Sequence, residues 1–321
     1  MITSRNVNGA FHTAWWRFKT GAVEEDSRNG PVLVMADPVL TTYMRPTERV
    51  LFDDRRDANP VFHLVEALWM LAGRDEVKFI LPFNSRYDQY AESDGTVHGA
   101  YGARWRQTFG MDQILAVIDI LKRDPNSRQA VIQMWSSDID LGADVKDKPC
   151  NTHIYFDGRQ GRLNMTVCCR SNDMLWGAYG ANVVHFSMLQ ELIAWGTGLA
   201  IGEYRQFSNN FHVYTDLPMV REFLRDPPEM DDPYAGSAVI ATPMFVGDET
   251  VQDFLLDCGE MFLEERLTPR TVFFRDTAWP LVDAYIARKV GLSVKPSMEF
   301  ITDWHVAFST WVARRDEPGH G

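Results

Sequence analysis

The stretch 153-HIYFDGRQGRLNMTVCCR-170 reads as a β-hairpin: an apolar run, a turn containing Gly158 and Gly161, and a second run that alternates. In the second arm Leu163, Met165, Val167 and Cys169 alternate with Asn164, Thr166, Cys168 and Arg170, the period of a strand with one face in a core. Arg170 therefore emerges at the strand end, on the face opposite the apolar one. Upstream, 130-AVIQMW-135 is another strand-like run, and Asn59-Pro60 followed by 61-VFHLVEALWMLAG-73 predicts a buried helix with an asparagine cap, proline in its first turn and a glycine stop. The segment 111-MDQILAVIDILKRD-124 is an amphipathic helix, with Ile114, Val117, Ile118 and Leu121 on one face. Downstream come the mostly apolar helix 183-VVHFSMLQELIAWG-196, strand-like 203-EYRQF-207 and the polar cluster 208-SNNFHVYTD-216. Helical patterns at 248–265 and 280–291 close the helical inventory. Helices on a largely β core, without strict βαβ alternation, give a mixed α and β class.

The whole chain sets limits on function. Its 321 residues, 45% hydrophobic and 24% charged, suit a globular protein, and no break of composition asks for more than a single domain over 1–321. Lys and Arg number 32 against 44 Asp and Glu, so the net charge of -12 leaves no basic stripe for a nucleic acid, although converging arginines can still bind one phosphate. Four cysteines without framework spacing point to a reducing compartment. With no leader-like segment and no apolar stretch near eighteen residues, the expectation is a cytoplasmic protein without membrane contact. No metal-ligand spacing occurs among the cysteines and eight histidines, so no metal is expected.

Several residues carry chemical potential. Cys150 in 147-DKPCNTH-153 stands beside Lys146, Lys148 and His153, the kind of neighbourhood that populates a thiolate, although a lone cysteine is usually a small buried hydrophobe. Glu66 lies inside the apolar helix, where a charge must be paired with a buried arginine or else be a proton-shuttling carboxyl. Arg170-Ser171-Asn172-Asp173 gathers four polar chemistries at a strand end, Asn182 is either a helix cap or a ligand contact, and His212 and Tyr214 share one face of a strand.

Taken in order, PCNTH, CCRSNDMLWGAYGAN and FHVYTD resemble the motifs of the thymidylate synthase family, with EALWML and AYGARWR matching in order and spacing, over about Val61 to Tyr214. The WGAYGAN form is similar to the phage and antibiotic-pathway branch that makes 5-hydroxymethyl pyrimidine nucleotides. The resemblance implies an α+β fold, with a mixed sheet flanked by helices and the sheets of two subunits stacked in a homodimer. It implies that Cys150 adds to carbon 6 of a pyrimidine nucleoside monophosphate and that carbon 5 takes a one-carbon unit from 5,10-methylenetetrahydrofolate. Glu66 would manage protons, Tyr101 would line the catalytic pocket and Asp173 would hold the pterin. Arg170, Ser171 and Arg28 would bind the 5'-phosphate together with Arg128 donated across the dimer interface. Asn182 would face the base, and His212 with Tyr214 the 3'-hydroxyl.

Departures from the family pattern decide the expected product. Gln129 replaces the second of paired arginines, Asn151 stands where synthases have histidine, and His185 stands where they have serine. The altered shell around the base tilts the expectation to dCMP over dUMP. Tyr87 and Tyr90 occupy the region where synthases shield the intermediate with tryptophan, and the chain ends in polar RRDEPGHG, so a wetter pocket should favour hydroxymethylation. Methylation of dUMP or dCMP, or a non-catalytic nucleotide-binding homologue, are the alternatives; retention of Cys150 argues against the latter.

Overall fold

The computed structural model describes residues 1–227, 229, 231–263, 267–292 and 302–316. Its strands are β1 (Ile2–Ser4), β2 (Ala22–Ser27), β3 (Gly30–Met35), β4 (Val39–Tyr43), β5 (Val131–Gln133), β6 (Asn151–Asp157), β7 (Arg162–Cys169), β8 (Asn172–Asp173), β9 (Ala200–Ser208) and β10 (Phe211–Tyr214). Its α-helices are α1 (Val7–Gly21), α2 (Pro60–Leu71), α3 (Tyr101–Arg106), α4 (Gln113–Arg123), α5 (Ser137–Asp140), α6 (Asn182–Thr197), α7 (Pro218–Arg225), α8 (Val251–Glu260), α9 (Trp279–Lys289) and α10 (Asp303–Asp316). One sheet runs β1-β4-β9-β7-β6-β5, with β1/β4 and β7/β9 parallel and its other pairs antiparallel. A smaller sheet runs β2-β3-β10-β8. Mixed sheets flanked by helices are the α+β arrangement that the resemblance implied.

The hairpin that opened the reading is β6 and β7, with Ile154 opposite Val167 and Tyr155 opposite Thr166. Its turn passes through Gln160 and Gly161 at φ 57° and 70°, a left-handed stretch that glycine adopts at little cost. Leu163, Met165, Val167 and Cys169 all point into the core as their alternation requires. Over this sheet lies α6, buried on every side from Asn182 to Ala194, which is why its sequence is apolar almost throughout.

Against α6 packs α2, capped by Asn59, whose side-chain oxygen accepts from the Phe62 N–H at 3.1 Å, and ended by Gly73 at φ 76°. The start of α3 is pressed onto the end of α2 through Gly102, where a Cβ would fall 2.3 Å from the Met70 carbonyl oxygen. That close approach fixes the neighbouring Tyr101.

The helical inventory read from the sequence is incomplete: α1, α3, α5, α7 and α10 add to it, and α10 follows the last helix that was read. Trp304, Phe308, Trp311 and Val312 bury one face of it, and the Asp303 carboxylate at its start accepts from the Tyr234 hydroxyl at 2.8 Å and the Thr242 N–H at 3.0 Å. Of the polar C-terminal segment, Arg314 pairs with Asp54 and Asp57, and Arg315 with Asp57. Residues 317–321 lie outside the described residues. Among the described residues no helix is long and apolar enough to cross a membrane.

Candidate active site

Cys150, Glu66, Tyr101 and Asp173, the four residues expected in catalysis, line one cavity of about 740 Å³. Arg28, Arg170, Ser171, Asn182, His212 and Tyr214 line it too. Its volume falls in the range of small-molecule sites. Arg128 does not line this cavity; it is exposed in the turn between α4 and β5.

Cys150 directly precedes β6. Its N–H donates to the Tyr101 hydroxyl oxygen at 3.1 Å, and the next N–H, of Asn151, donates to the same oxygen at 3.0 Å. Tyr101 thus pins the backbone that carries the sulfur. Arg170 is bound to the same loop, its guanidinium donating to the carbonyls of Pro149 at 3.1 Å and Lys148 at 3.3 Å beside the Trp135 ring. Burial pushes the Cys150 thiol above its ordinary value; Arg170 opposes this and Asp147 reinforces it. Arg170 acts in the direction expected of it, but within one chain burial outweighs it.

Glu66 is buried in α2, and the arginine that the sequence offered as its partner is not what faces it. His185 of α6 does, its Nε2 2.9 Å from Glu66 Oε2. The two approach closely, yet they are not aligned as a hydrogen bond, and Glu66 Oε2 and both His185 ring nitrogens have no hydrogen-bond partner. The Tyr87 phenol beside them is pushed up, first by burial and then by the Glu66 charge.

Asn182 does not cap α6. A π-helical turn, Met174–Ala181, runs straight into the helix, which frees the Asn182 amide for other work. It belongs to a row of buried amides. The Tyr204 hydroxyl donates to Gln206 Oε1, and Gln206 Nε2 donates to Asn151 Oδ1 at 3.2 Å. Asn151 Nδ2 donates to Asn182 Oδ1 at 3.2 Å, Asn182 Nδ2 to Asn172 Oδ1 at 3.1 Å, and Asn172 Nδ2 to Ser208 Oγ at 2.9 Å. Asn151 Nδ2 also reaches the Tyr101 oxygen at 2.9 Å, so the row touches the loop of the cysteine.

Asp173 caps the π-helical turn, its Oδ1 accepting from the Trp176 N–H at 2.6 Å, while Oδ2 is enclosed without a partner. Burial lifts this carboxyl to about 6, with the Trp176 N–H and Arg56 pulling the other way. Arg56 itself is buried, donates to the Leu175 carbonyl at 3.1 Å, lies over the Trp176 ring at 4.3 Å, and is lowered to about 10 by burial. An enclosed acceptor next to an exposed tryptophan face suits the N–H edge of a flat heterocycle such as a pterin.

On the other side of the cavity, His212 and Tyr214 on β10 meet edge to face at 5.4 Å. His212 Nδ1 lies 2.7 Å from Asn210 Oδ1, and burial lowers its imidazole. Since β3 pairs with β10, Val32 opposite Tyr214, the β2–β3 turn brings Arg28 and Asn29 alongside.

Arg56, Trp176 and Gln206 escaped the sequence reading. Gln206 carried a signal, since an amide at an inward position of an apolar strand must be bonded to something polar. Arg56 carried none, because its partners come from residues 173–176.

Residues 55–238 match the thymidylate synthase family. The chain is 41% identical to a deoxyuridylate hydroxymethyltransferase of Pseudomonas phage M6, over 98% of this chain and 94% of that protein. It is 36% identical to a deoxyuridylate hydroxymethyltransferase of Bacillus phage SP01, over 56% of this chain and 50% of that one. It is 32% identical to a thymidylate synthase of Symbiobacterium thermophilum, over 47% of this chain and 58% of that one. The likeness extends past the Val61–Tyr214 span to which the motifs confined it.

Proposed function

The chain belongs to the thymidylate synthase family, and from that premise we propose that this transferase moves a one-carbon unit from 5,10-methylenetetrahydrofolate to carbon 5 of dUMP and releases 5-hydroxymethyl-dUMP. The observation that carries the reading is the convergence on one cavity of Cys150, the Glu66 carboxyl, Asp173 with its unpartnered Oδ2, and Asn182, through which the amide row reaches the cavity. The bound folate supplies the carbon at the oxidation level of formaldehyde.

Cys150 adds through sulfur to carbon 6, and the electron pair moves onto the pyrimidine so that carbon 5 becomes the nucleophile. Burial holds the thiol protonated in the single chain, so the anionic phosphate site must bring cations close: Arg170, Arg28 and, from a second copy of the chain, Arg128. Exposure of Arg128 outside its own cavity supports the homodimer in that role. Ser171 joins the phosphate, His212 and Tyr214 hold the 3'-hydroxyl, Asn182 meets the base, and Glu66 manages protons. Asp173 fits the pterin through Oδ2.

The altered shell tilted the sequence expectation to dCMP. An amide can serve either base by exchanging its ends, so Asn151 and Asn182 do not choose. The names of the phage relatives favour dUMP. Tyr87 and Tyr90 line the cavity where a synthase would place tryptophan, which supports water as the final nucleophile.

The test is tritium release from carbon 5 of dUMP and dCMP with methylenetetrahydrofolate, coupled to product mass. We expect release from dUMP, a hydroxymethyl product and free tetrahydrofolate, with Cys150→Ser binding nucleotide but releasing no tritium. A methyl product with dihydrofolate would overturn the hydration step, and release from dCMP alone would reassign the base.

A further inference from the structure

Buried polar atoms are nearly always hydrogen-bonded, and those that are not mark a place where something else belongs. Three such atoms cluster on one wall of the cavity: both ring nitrogens of His185 and Oε2 of Glu66. His185 is 3% exposed and Glu66 4%, they stand on different helices, and Nε2 and Oε2 approach to 2.9 Å. Both line the cavity that holds Cys150. An imidazole and a carboxylate side by side, each with unused capacity, form a pair that can hold one water and take a proton from it.

We propose that His185, with Glu66, binds and deprotonates the water that converts the nucleotide-bound methylene into a hydroxymethyl group. The inference rests on the hydroxymethyltransferase reading above. The water oxygen forms a bond to the exocyclic methylene carbon at carbon 5, and the water's proton passes to His185 Nε2. The electron pair of the exocyclic double bond moves onto carbon 5 and its conjugated carbonyl. It then returns to form the ring double bond between carbons 5 and 6 as the carbon–sulfur bond breaks and Cys150 leaves as thiolate. No oxidant or reductant is consumed, because the methylene and the alcohol lie at the same oxidation level. Glu66, whose Oε2 lies 2.9 Å from Nε2, balances the charge of the imidazolium that forms.

Placement on α6 explains how one residue can control the outcome. His185 follows Asn182 by about one helical turn, so the residue that faces the base and the residue that faces the water share one helix face.

The experiment compares, in His185→Ser and parent enzyme, tritium release from carbon 5 of dUMP with formation of 5-hydroxymethyl-dUMP. Tritium release counts methylene transfers; hydroxymethyl product counts water additions. The expected result is that the ratio of hydroxymethyl product to tritium released falls by a factor of about 10² to 10⁴, the usual worth of a positioned base. Added 2-mercaptoethanol should then capture the waiting methylene as a thioether. His185→Asn, which bonds water but does not take up its proton, should show the same loss and carries the measurement if the serine variant does not fold. A ratio equal to the parent's in a folded variant overturns the proposal, because tritium release and product then fall together as for a structural residue. Absence of tritium release in the parent would instead overturn the hydroxymethyltransferase reading itself.

Discussion

Replacing Asp173 by asparagine should stabilise the protein at neutral pH while damaging its use of folate. Burial lifts the carboxyl from 3.8 to about 6. At 1.36 kcal/mol per tenfold change in proton affinity, keeping it ionised in the folded state costs up to ~3 kcal/mol. The side chain as a whole is half-buried, although Oδ2 is enclosed, so residual water trims the expected gain to about 1–3 kcal/mol. Asparagine keeps an oxygen for the Trp176 N–H and is as good a cap as aspartate. The sign follows from the direction of the shift. A carboxyl whose folded value lies above its unfolded one stabilises the fold fully below about 4, and that contribution is lost as pH rises through about 6. Urea unfolding of parent and Asp173→Asn at pH 4 and pH 7.5, at equal protein concentration, should therefore show little difference at the lower pH and a more stable variant at the higher. The KM for methylenetetrahydrofolate should rise at least about tenfold, the cost of removing a charged hydrogen-bond acceptor. A stability difference that is the same at both pH values would refute the argument, since it would mean that no ionisation of Asp173 is linked to folding.

Two further outcomes follow from the geometry. Arg128→Ala and Cys150→Ser proteins, each with little activity alone, should regain turnover when unfolded together and refolded, because a mixed dimer of the kind proposed above would contain one site with both the cysteine and the donated arginine intact. Recovery no greater than the sum of the separate variants would remove Arg128 from its partner's site. Gly102→Ala should cost about 1–3 kcal/mol in urea unfolding, because its Cβ meets the Met70 backbone and not a side chain that can turn away; a loss below about 0.5 kcal/mol would show that α2 and α3 separate easily.

Much of the frame was legible because it obeys local rules. The hairpin, α2 with its asparagine cap and α4 each announce themselves by period and by cap. The candidate site residues were legible only as an ordered set, since Cys150, Asp173 and His212 are individually unremarkable and gain meaning from the resemblance. What escaped was set by distant segments. Nothing near Glu66 in the chain shows that its neighbour is His185, more than a hundred residues later and on another helix. The row through Gln206, Asn151, Asn182 and Asn172 joins β9, β6, α6 and β8, so no window of sequence contains it. The helix α10 does carry a local signal, since Trp304, Phe308, Trp311 and Val312 stand at i, i+4, i+7 and i+8, the spacing of one buried helix face.

That row ends in a hydroxyl at either side, Tyr204 and Ser208, and touches a third at Tyr101. A hydroxyl can give or receive, whereas each amide between them has one end of each kind. If every amide rotates by half a turn and the three hydroxyls exchange roles, all the bonds reform in the opposite sense at no loss in number. The row that reaches the cavity through Asn182 is thus reversible, like a line of dominoes that can fall either way.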